Sequence, residues 1–331
     1  MIENMSSKAK LLTHLREKQG EPISGSVLAK EMGISRVAVW KAVQSLVDAG
    51  YLIETKETGY LLDPKNDKDF LYPWEFGEKE NMFYHYLNTT STMDRARELA
   101  FRGVQNGVIS AEKQSAGRGR NGRTWVSRQG GLFFTVLDRP KLAIADYTQF
   151  SLMLQIAVVK SISQICGKKA YLRWPNDIYI SNKKVSGITT ELSGEGDILS
   201  WITGGIGVNV NNKAPTVKAT SLFEITGKIV PRKEVLLKIL EEIEITKKNF
   251  SSTASYSQGN RLLSTEWNSL ADCIGAKAAV FEPIDDNFEP SKILSRGIFS
   301  GIDPAGRCII KTEKGELYFN FGTVSLAFLN V

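Results

Sequence analysis

The sequence predicts an α+β multidomain chain with a small helical head, an α/β middle and an all-β tail. Three observations carry that prediction. Residues 8–63 hold three apolar helical stripes and a hairpin, residues 81–271 alternate strand-like and helix-like runs, and beyond Gly275 only short strands and turns follow. At 331 residues there is room for two or three domains and a sizeable core.

In the head, Leu11, Leu12 and Leu15 give one apolar face of a first helix, stopped near Gly20 and Pro22. Ser24 or Ser26 caps a second helix running through Met32. Gly33-Ile34 makes a turn, Ser35 caps a third helix over 36–49, and residues 51–54 and 59–62 form a hairpin. Ala29, Gly33 and Val39 follow the packing logic of a helix-turn-helix: a small residue lets two helices cross, Gly takes the left-handed turn, and an apolar residue closes the core. With the hairpin as wing, Ser35, Arg36 and Lys41 would lead the third helix into a DNA major groove. A small protein-interaction domain is the blander alternative. Residues 1–63 carry eight Lys/Arg against eight Asp/Glu, so net charge does not favour DNA, whereas spacing and wing do.

Residues 64–80, with Pro64, Pro73 and Gly77 as breakers, read as a linker. The middle domain, 81–273, is expected to hold helices over 92–102, 145–166 and 232–250. Its expected strands are 108–112, 131–137, 170–173, 178–180, 186–192 and 201–210. The tail, 274–331, carries strands at 278–281, 295–302, 308–312 and 317–320, most simply a small SH3-like barrel.

Composition narrows the function. Hydrophobic residues at 42% and charged residues at 24% exclude global disorder. Residues 1–20 lack an apolar signal core, and the greasy run 151–159, interrupted by Gln155, is too short to span a bilayer. Cys166, Cys273 and Cys308 form no CxxC pair, which argues against a disulfide framework or structural zinc and fits a reducing cytoplasm. With His14 and His85 the only imidazoles, a His-based zinc hydrolase is poorly supported; His85 reads as structural. The net charge of +6 hints at phosphate-bearing partners.

The sharpest feature is Gly117-Arg118-Gly119-Arg120-Asn121-Gly122-Arg123-Thr124-Trp125. From Lys113 to Arg128 there are five basic residues and no acid. Glycines make the amides approachable, and arginines offer forked donors to phosphate or carboxylate. The same glycines spell G-x-G-x-x-G, but no apolar helix follows, so a dinucleotide-binding turn is rejected.

This loop, from Ala111 to Trp125, resembles the signature loop of biotin–protein ligases. Arg173-Trp174-Pro175-Asn176-Asp177 is similar to their K-W-P-N-D segment, and Lys184-Val185-Ser186-Gly187-Ile188 to the strand after it. Gly205-Ile206-Gly207-Val208-Asn209 resembles their G-x-G-x-N strand, and Ala219-Thr220-Ser221-Leu222 the segment that follows. With the winged segment in front, essentially the whole chain resembles the bifunctional form, ligase plus biotin operon repressor.

The resemblance implies a central biotin/lipoate-ligase-like domain and a two-step reaction. Biotin and ATP with Mg²⁺ give biotinyl-5′-AMP, and a lysine of a biotin carboxyl carrier protein then takes the biotin. It implies Lys184, Arg118 and Arg120 as catalytic, and biotin contacts from Ser91, Thr92, Met93, Gln114, Gly117, Arg118, Gly119, Arg120 and Lys184. Nucleotide contacts would come from Arg120, Arg123, Trp125, Asn176, Asp177 and Asn209. No fixed protein metal site is implied, Mg²⁺ arriving with ATP near Asp177, and no tightly bound prosthetic group. Operator DNA and a ligand-promoted homodimer are the further implied partners, with no membrane. Two departures stand out: Met93 follows Ser91-Thr92 where many relatives have Asn, with a backbone contact to biotin expected, and Arg173 replaces the usual Lys, which puts a lysine-specific role in doubt.

Blander readings sit beside these. Ser91 or Thr92 also suits a helix cap, Asn176-Asp177 a turn, Asn209 a strand end, Trp125 a core position and Lys183 a solvated turn. A lipoate-transfer enzyme would want a His after Gly130-Gly131, which is missing nearby. A ligand-sensing regulator without catalysis, and a ligase with a vestigial winged helix, are the remaining alternatives.

Overall fold

A computed structural model of the chain describes residues 5–18, 20–63, 69–140, 143–251, 256–282 and 292–329. The chain divides into two compact units, residues 1–85 and 86–331.

In the first unit, α1 (Ser7–Glu17), α2 (Gly25–Met32) and α3 (Arg36–Asp48) precede an antiparallel hairpin of β1 (Ile53–Lys56) and β2 (Gly59–Leu62). Each helix starts on a serine cap: Ser6, Ser24 and Ser35 accept from the amides of Ala9, Val27 and Ala38 at 3.3, 3.2 and 3.1 Å. Gly33 ends α2 in the left-handed region, φ 65°, which lets the chain turn into α3. Leu11, Leu15, Leu28, Val39 and Leu46 close the core.

The expected linker, 64–80, needs correcting. Residues 64–68 lie outside the described residues, but Pro73–Met82 is a 3-10 stretch of this unit, broken at Gly77. Its Glu75 is buried, taking a fork from Arg16, 3.0 Å to each oxygen, and a hydrogen bond from the Tyr51 hydroxyl. Trp74 Nε1 donates to the same hydroxyl at 3.0 Å. Burial, with Glu75 beside it, raises the Tyr51 pKa. Proline and glycine break α-helices, but a carboxylate this well partnered is stable inside folded structure.

In the second unit the main sheet runs β3-β4-β5-β9-β8-β7-β6. The strands are β3 (Phe83–Thr89), which enters from the first unit, β4 (Gly107–Gln114), β5 (Leu132–Asp138), β6 (Tyr171–Arg173), β7 (Asp177–Ile180), β8 (Lys183–Glu195) and β9 (Ile198–Val208). The ladders from β4 to β6 are antiparallel, a direction that alternation of strand and helix in the sequence does not fix.

The helices are α4 (Thr92–Phe101), α5 (Tyr147–Cys166), α6 (Leu222–Thr226), α7 (Arg232–Ser251) and α8 (Tyr256–Ser269). Among the described residues α5 alone is long and apolar enough to cross a membrane, yet it is mostly buried here. Gln155 inside it accepts from Trp267 Nε1 at 2.9 Å, which satisfies the polar interruption of the apolar run.

The tail forms a five-stranded antiparallel sheet, β13-β12-β11-β10-β14, from β10 (Lys277–Phe281), β11 (Ile293–Ile302), β12 (Cys308–Thr312), β13 (Gly315–Phe319) and β14 (Ser325–Leu329). Register shifts at Val280/Phe281 and Phe299/Gly301 bend it. Strands β3 and β14 and helices α6 and α8 were not expected from sequence.

Candidate active site

The second unit holds a cavity of about 920 Å³, walled by the start of α4, the basic loop, β7 to β9 and the tail strand β14. Its flat side is glycine. Gly187 and Gly207 face one another across the β8–β9 ladder, and Gly205 pairs with Thr189. A Cβ at Gly207 would fall 2.5 Å from the Trp125 ring, and one at Gly187 3.0 Å from it. The indole therefore lies where only glycine lets a planar group approach the backbone.

Beside that surface sits a neutral hydrogen-bonding set. Gln114 Oε1 accepts from the Thr92 amide at 2.8 Å and its hydroxyl at 3.1 Å, while Gln114 Nε2 donates to Ser127 at 2.7 Å. Thr135 donates to the Thr92 hydroxyl at 2.8 Å. Ser91 accepts from the Met93 amide at 3.2 Å, so it caps α4 while lining the cavity. That bond engages the Met93 amide, and the Met93 thioether packs toward Gly205.

The basic loop folds back on itself: Trp125 N donates to Gly117 O at 2.8 Å and Gly119 N to Arg123 O at 2.7 Å. Gly117 is needed for this, since a Cβ there would fall 2.6 Å from Ser127 Oγ. It lies behind the cavity wall, whereas Arg118, Gly119, Arg120, Arg123 and Trp125 line it. The Arg118 guanidinium is held by two carboxylates, 2.9 Å from Asp94 and 2.9 Å from Glu191. Both partners of this guanidinium are thus carboxylates of the protein itself. Arg120 Nη2 and Trp125 Nε1 are buried without a hydrogen-bond partner among the described residues. Burial pushes the Arg120 pKa down, with Asp177 opposing the shift.

Lys184 reaches the cavity from β8, 2.7 Å from Asp177 and 5.3 Å from the Trp125 ring centre. Asn176 lines the cavity, but its amide donates to Ile188 O at 2.6 Å and so pins β7 to β8. Arg173 forks onto Asp272, 2.9 and 2.7 Å, and stacks 4.2 Å from the Tyr179 ring, a geometry that uses the planar guanidinium.

Asn209 departs from expectation. It is buried, does not line the cavity, and accepts from Asn212 Nδ2 at 2.9 Å. The strand-end reading describes it, because β9 has ended and the chain turns inward there. In the first unit Ser35, Arg36 and Lys41 are all exposed at or on α3.

Several residues that line or support the cavity wall were missed from sequence. Asp94 and Glu191 hold Arg118, Val324 to Phe328 close one side, and Phe321 stacks on Arg120 with 4.6 Å between ring centre and guanidinium carbon. Only the Gly187 and Gly205-x-Gly207 patterns offered a signal, since paired glycines inside strands mark a close approach.

A winged helix-turn-helix joined to a sheet whose glycine face, basic loop and lysine share one cavity defines a DNA-binding, carboxylate-activating ligase class. Residues 87–211 match the biotin/lipoate A/B protein ligase family, residues 8–61 a helix-turn-helix domain, and residues 289–327 the biotin protein ligase C-terminal domain. The Bifunctional ligase/repressor BirA of Bacillus subtilis is 31% identical over 309 residues, covering 89% of this chain and 91% of that one. The biotin–[acetyl-CoA-carboxylase] ligase of Paracoccus denitrificans is 30% identical over 240 residues, 69% of this chain and 93% of that one. The solved biotin protein ligase of Aquifex aeolicus in complex with biotin and ATP superposes with TM-score 0.62 at 30% identity, over 75% of this chain and 99% of that one. The chain belongs to the biotin protein ligase family, in its bifunctional ligase/repressor form.

Proposed function

We propose that the chain is an ATP-dependent biotin–protein ligase that also represses biotin biosynthesis genes in response to biotin. A biotin carboxylate oxygen attacks the α-phosphorus of ATP, forming biotinyl-5′-AMP and releasing pyrophosphate. The ε-amine of a lysine on a biotin carboxyl carrier protein, such as an acetyl-CoA carboxylase subunit, then attacks the acyl carbon, forming the amide and releasing AMP.

One observation carries this reading: a single cavity combines the Ser91–Thr92–Gln114 hydrogen-bonding set with Lys184, Arg120 and Arg123 around a glycine surface. Ser91, Thr92 and Gln114 suit the neutral ring of biotin, and Met93 its apolar flank. Two anions must meet in the first step, so fixed cations lower the barrier where charge develops. Lys184 bridges the biotin carboxylate and α-phosphate, leaving Asp177 to do so. Arg120, whose Nη2 has no partner among the described residues, and Arg123 take phosphate oxygens. Gly117 shapes the loop from behind the wall, Arg118 and Gly119 bring its backbone to the carboxylate, and Trp125 covers the ligand.

Among the described residues no group of three or more His, Cys, Asp or Glu could hold a metal. The lone lining carboxylate Asp177 fits Mg²⁺ brought in by ATP, which would neutralise phosphate charge. The division of labour follows the chain: residues 1–63 read operator DNA, 81–273 activate biotin and 274–331 complete the nucleotide side. Biotinyl-AMP orders the basic loop and favours a homodimer, which aligns two wings with two half-sites in the cytoplasm.

The test is biotin-dependent ATP–pyrophosphate exchange, followed by transfer of radiolabelled biotin to a carrier domain. Both are expected, with exchange falling about 10²–10³-fold in Lys184→Ala. Absence of exchange in folded protein with biotin, ATP and Mg²⁺ overturns the ligase reading. Equal sedimentation with and without biotinyl-AMP overturns the dimer.

A further inference from the structure

Helix α3 carries its largest unexplained feature on its outer side. Val37 is 63% and Trp40 53% exposed, although the opposite face of the helix supplies Val39, Ala42, Val43 and Leu46 to the core. Gln44 is exposed as well. At about 100° per residue, Arg36 and Lys41 lie about 140° apart, and Trp40, Gln44 and Val37 fall between them. The exposed stripe thus has cations at its two borders and apolar and amide groups along its middle. No acidic residue stands in the first turn, which starts on Ser35.

We propose that this stripe is a base-reading surface for thymine–adenine steps in duplex DNA. Val37 and Trp40 receive the 5-methyl groups of two thymines in the major groove, and the Gln44 carboxamide pairs with N6 and N7 of an adenine beside them. Arg36 and Lys41 meet the phosphates on the two walls of the groove, about 12 Å apart and wide enough for a helix. Asp48, at the far end of α3, turns that end away from phosphate, so the part of the helix from Arg36 to Gln44 enters. The major groove is the occupant because it alone matches an apolar centre bordered by cations on both sides. The inference rests on the repressor reading and names the chemistry that the repressor selects.

The experiment uses the full chain with biotin, ATP and Mg²⁺ at one fixed salt concentration. Duplexes are selected from a randomised library, and each dT of the selected half-site is then replaced singly by dU, which removes only the methyl group. Selection of a thymine–adenine-rich half-site is expected, with two dT→dU replacements each weakening binding about fourfold, the effect of one buried methyl. Val37→Ala makes one of those positions indifferent to the replacement and Trp40→Ala the other. Arg36→Ala weakens all duplexes alike and lowers the salt dependence. Both apolar residues are exposed, so melting temperature and biotin transfer stay at wild-type values.

If no duplex is retained above background, the repressor reading fails and this inference with it. If a sequence is selected but dT→dU replacement changes nothing, the repressor reading stands and the inference falls. It falls equally if Trp40→Ala spares DNA binding and abolishes self-association, since the face would then meet a second copy of the chain.

Discussion

Phe321 reaches Arg120 from the turn before β14, 201 positions further along the chain. Its ring centre lies 4.6 Å from the guanidinium carbon, and Trp174 meets the same ring edge-to-face at 6.0 Å. Arg120 is largely desolvated and its Nη2 has no hydrogen-bond partner among the described residues, so the aromatic face is one of few groups fixing the charge before a phosphate arrives. A cation–π contact at a partly desolvated site contributes about 0.5–2 kcal/mol. Its loss in Phe321→Ala is therefore expected to raise the KM for ATP about 2- to 30-fold in pyrophosphate exchange, with the KM for biotin unchanged. In Arg120→Ala the second change to Phe321→Ala should add little, because the contact is already gone. Equal rises for ATP and biotin, or full additivity of the two substitutions at an unchanged melting temperature, would refute the idea that Phe321 positions Arg120.

Three further outcomes follow from the same geometry. Gly207→Ala places a methyl group 2.5 Å from the Trp125 ring, so indole fluorescence should change and adenylation fall at least tenfold with the fold retained; wild-type exchange would show that the indole has room to move. Removing Arg173 strands Asp272 in a mostly buried pair, and Arg173→Ala should cost about 3 kcal/mol, lowering the melting temperature by roughly 6–12 °C. An unchanged melting curve would mean the fork is idle. Burial pushes the Cys273 and Cys308 thiols from the ordinary 9.0 up to about 12, so the folded chain keeps protons that the unfolded chain gives up. Stability is then fully present below about pH 9 and lost as pH rises toward about 12, which urea midpoints between pH 8 and 10.5 would follow. Rapid alkylation of either thiol in folded protein at pH 9 would contradict it.

The parts legible in sequence were those governed by short-range geometry. Serine caps at Ser24 and Ser35, the left-handed Gly33, and the periods of α1, α3 and α5 are all set by groups within four residues of one another. The basic, glycine-rich character of Gly117 to Trp125 was visible because glycines and arginines declare backbone access and charge without any partner. Residues 69–80, the described part of the expected linker, were misread because Pro73 and Gly77 report only that an α-helix cannot continue. The Tyr51 and Arg16 side chains that hold Glu75 of this stretch lie 24 and 59 positions earlier in the chain.

By itself, then, the sequence determined most of the elements, the glycine and arginine content of the loop and the family to which the chain belongs. Which groups remain free for that ligand was decided by the tertiary structure. Arg118 and Arg120 are equivalent as sequence, yet Asp94 and Glu191 neutralise the first while Phe321 covers the second, one of whose nitrogens has no hydrogen-bond partner among the described residues. Asn209 ends the expected motif, but its hydrogen bond to Asn212 takes it out of the cavity. The physical reason is common to these cases: the free energy of a charge or amide depends on partners that strand register and chain packing bring from distant positions, and no local pattern encodes them.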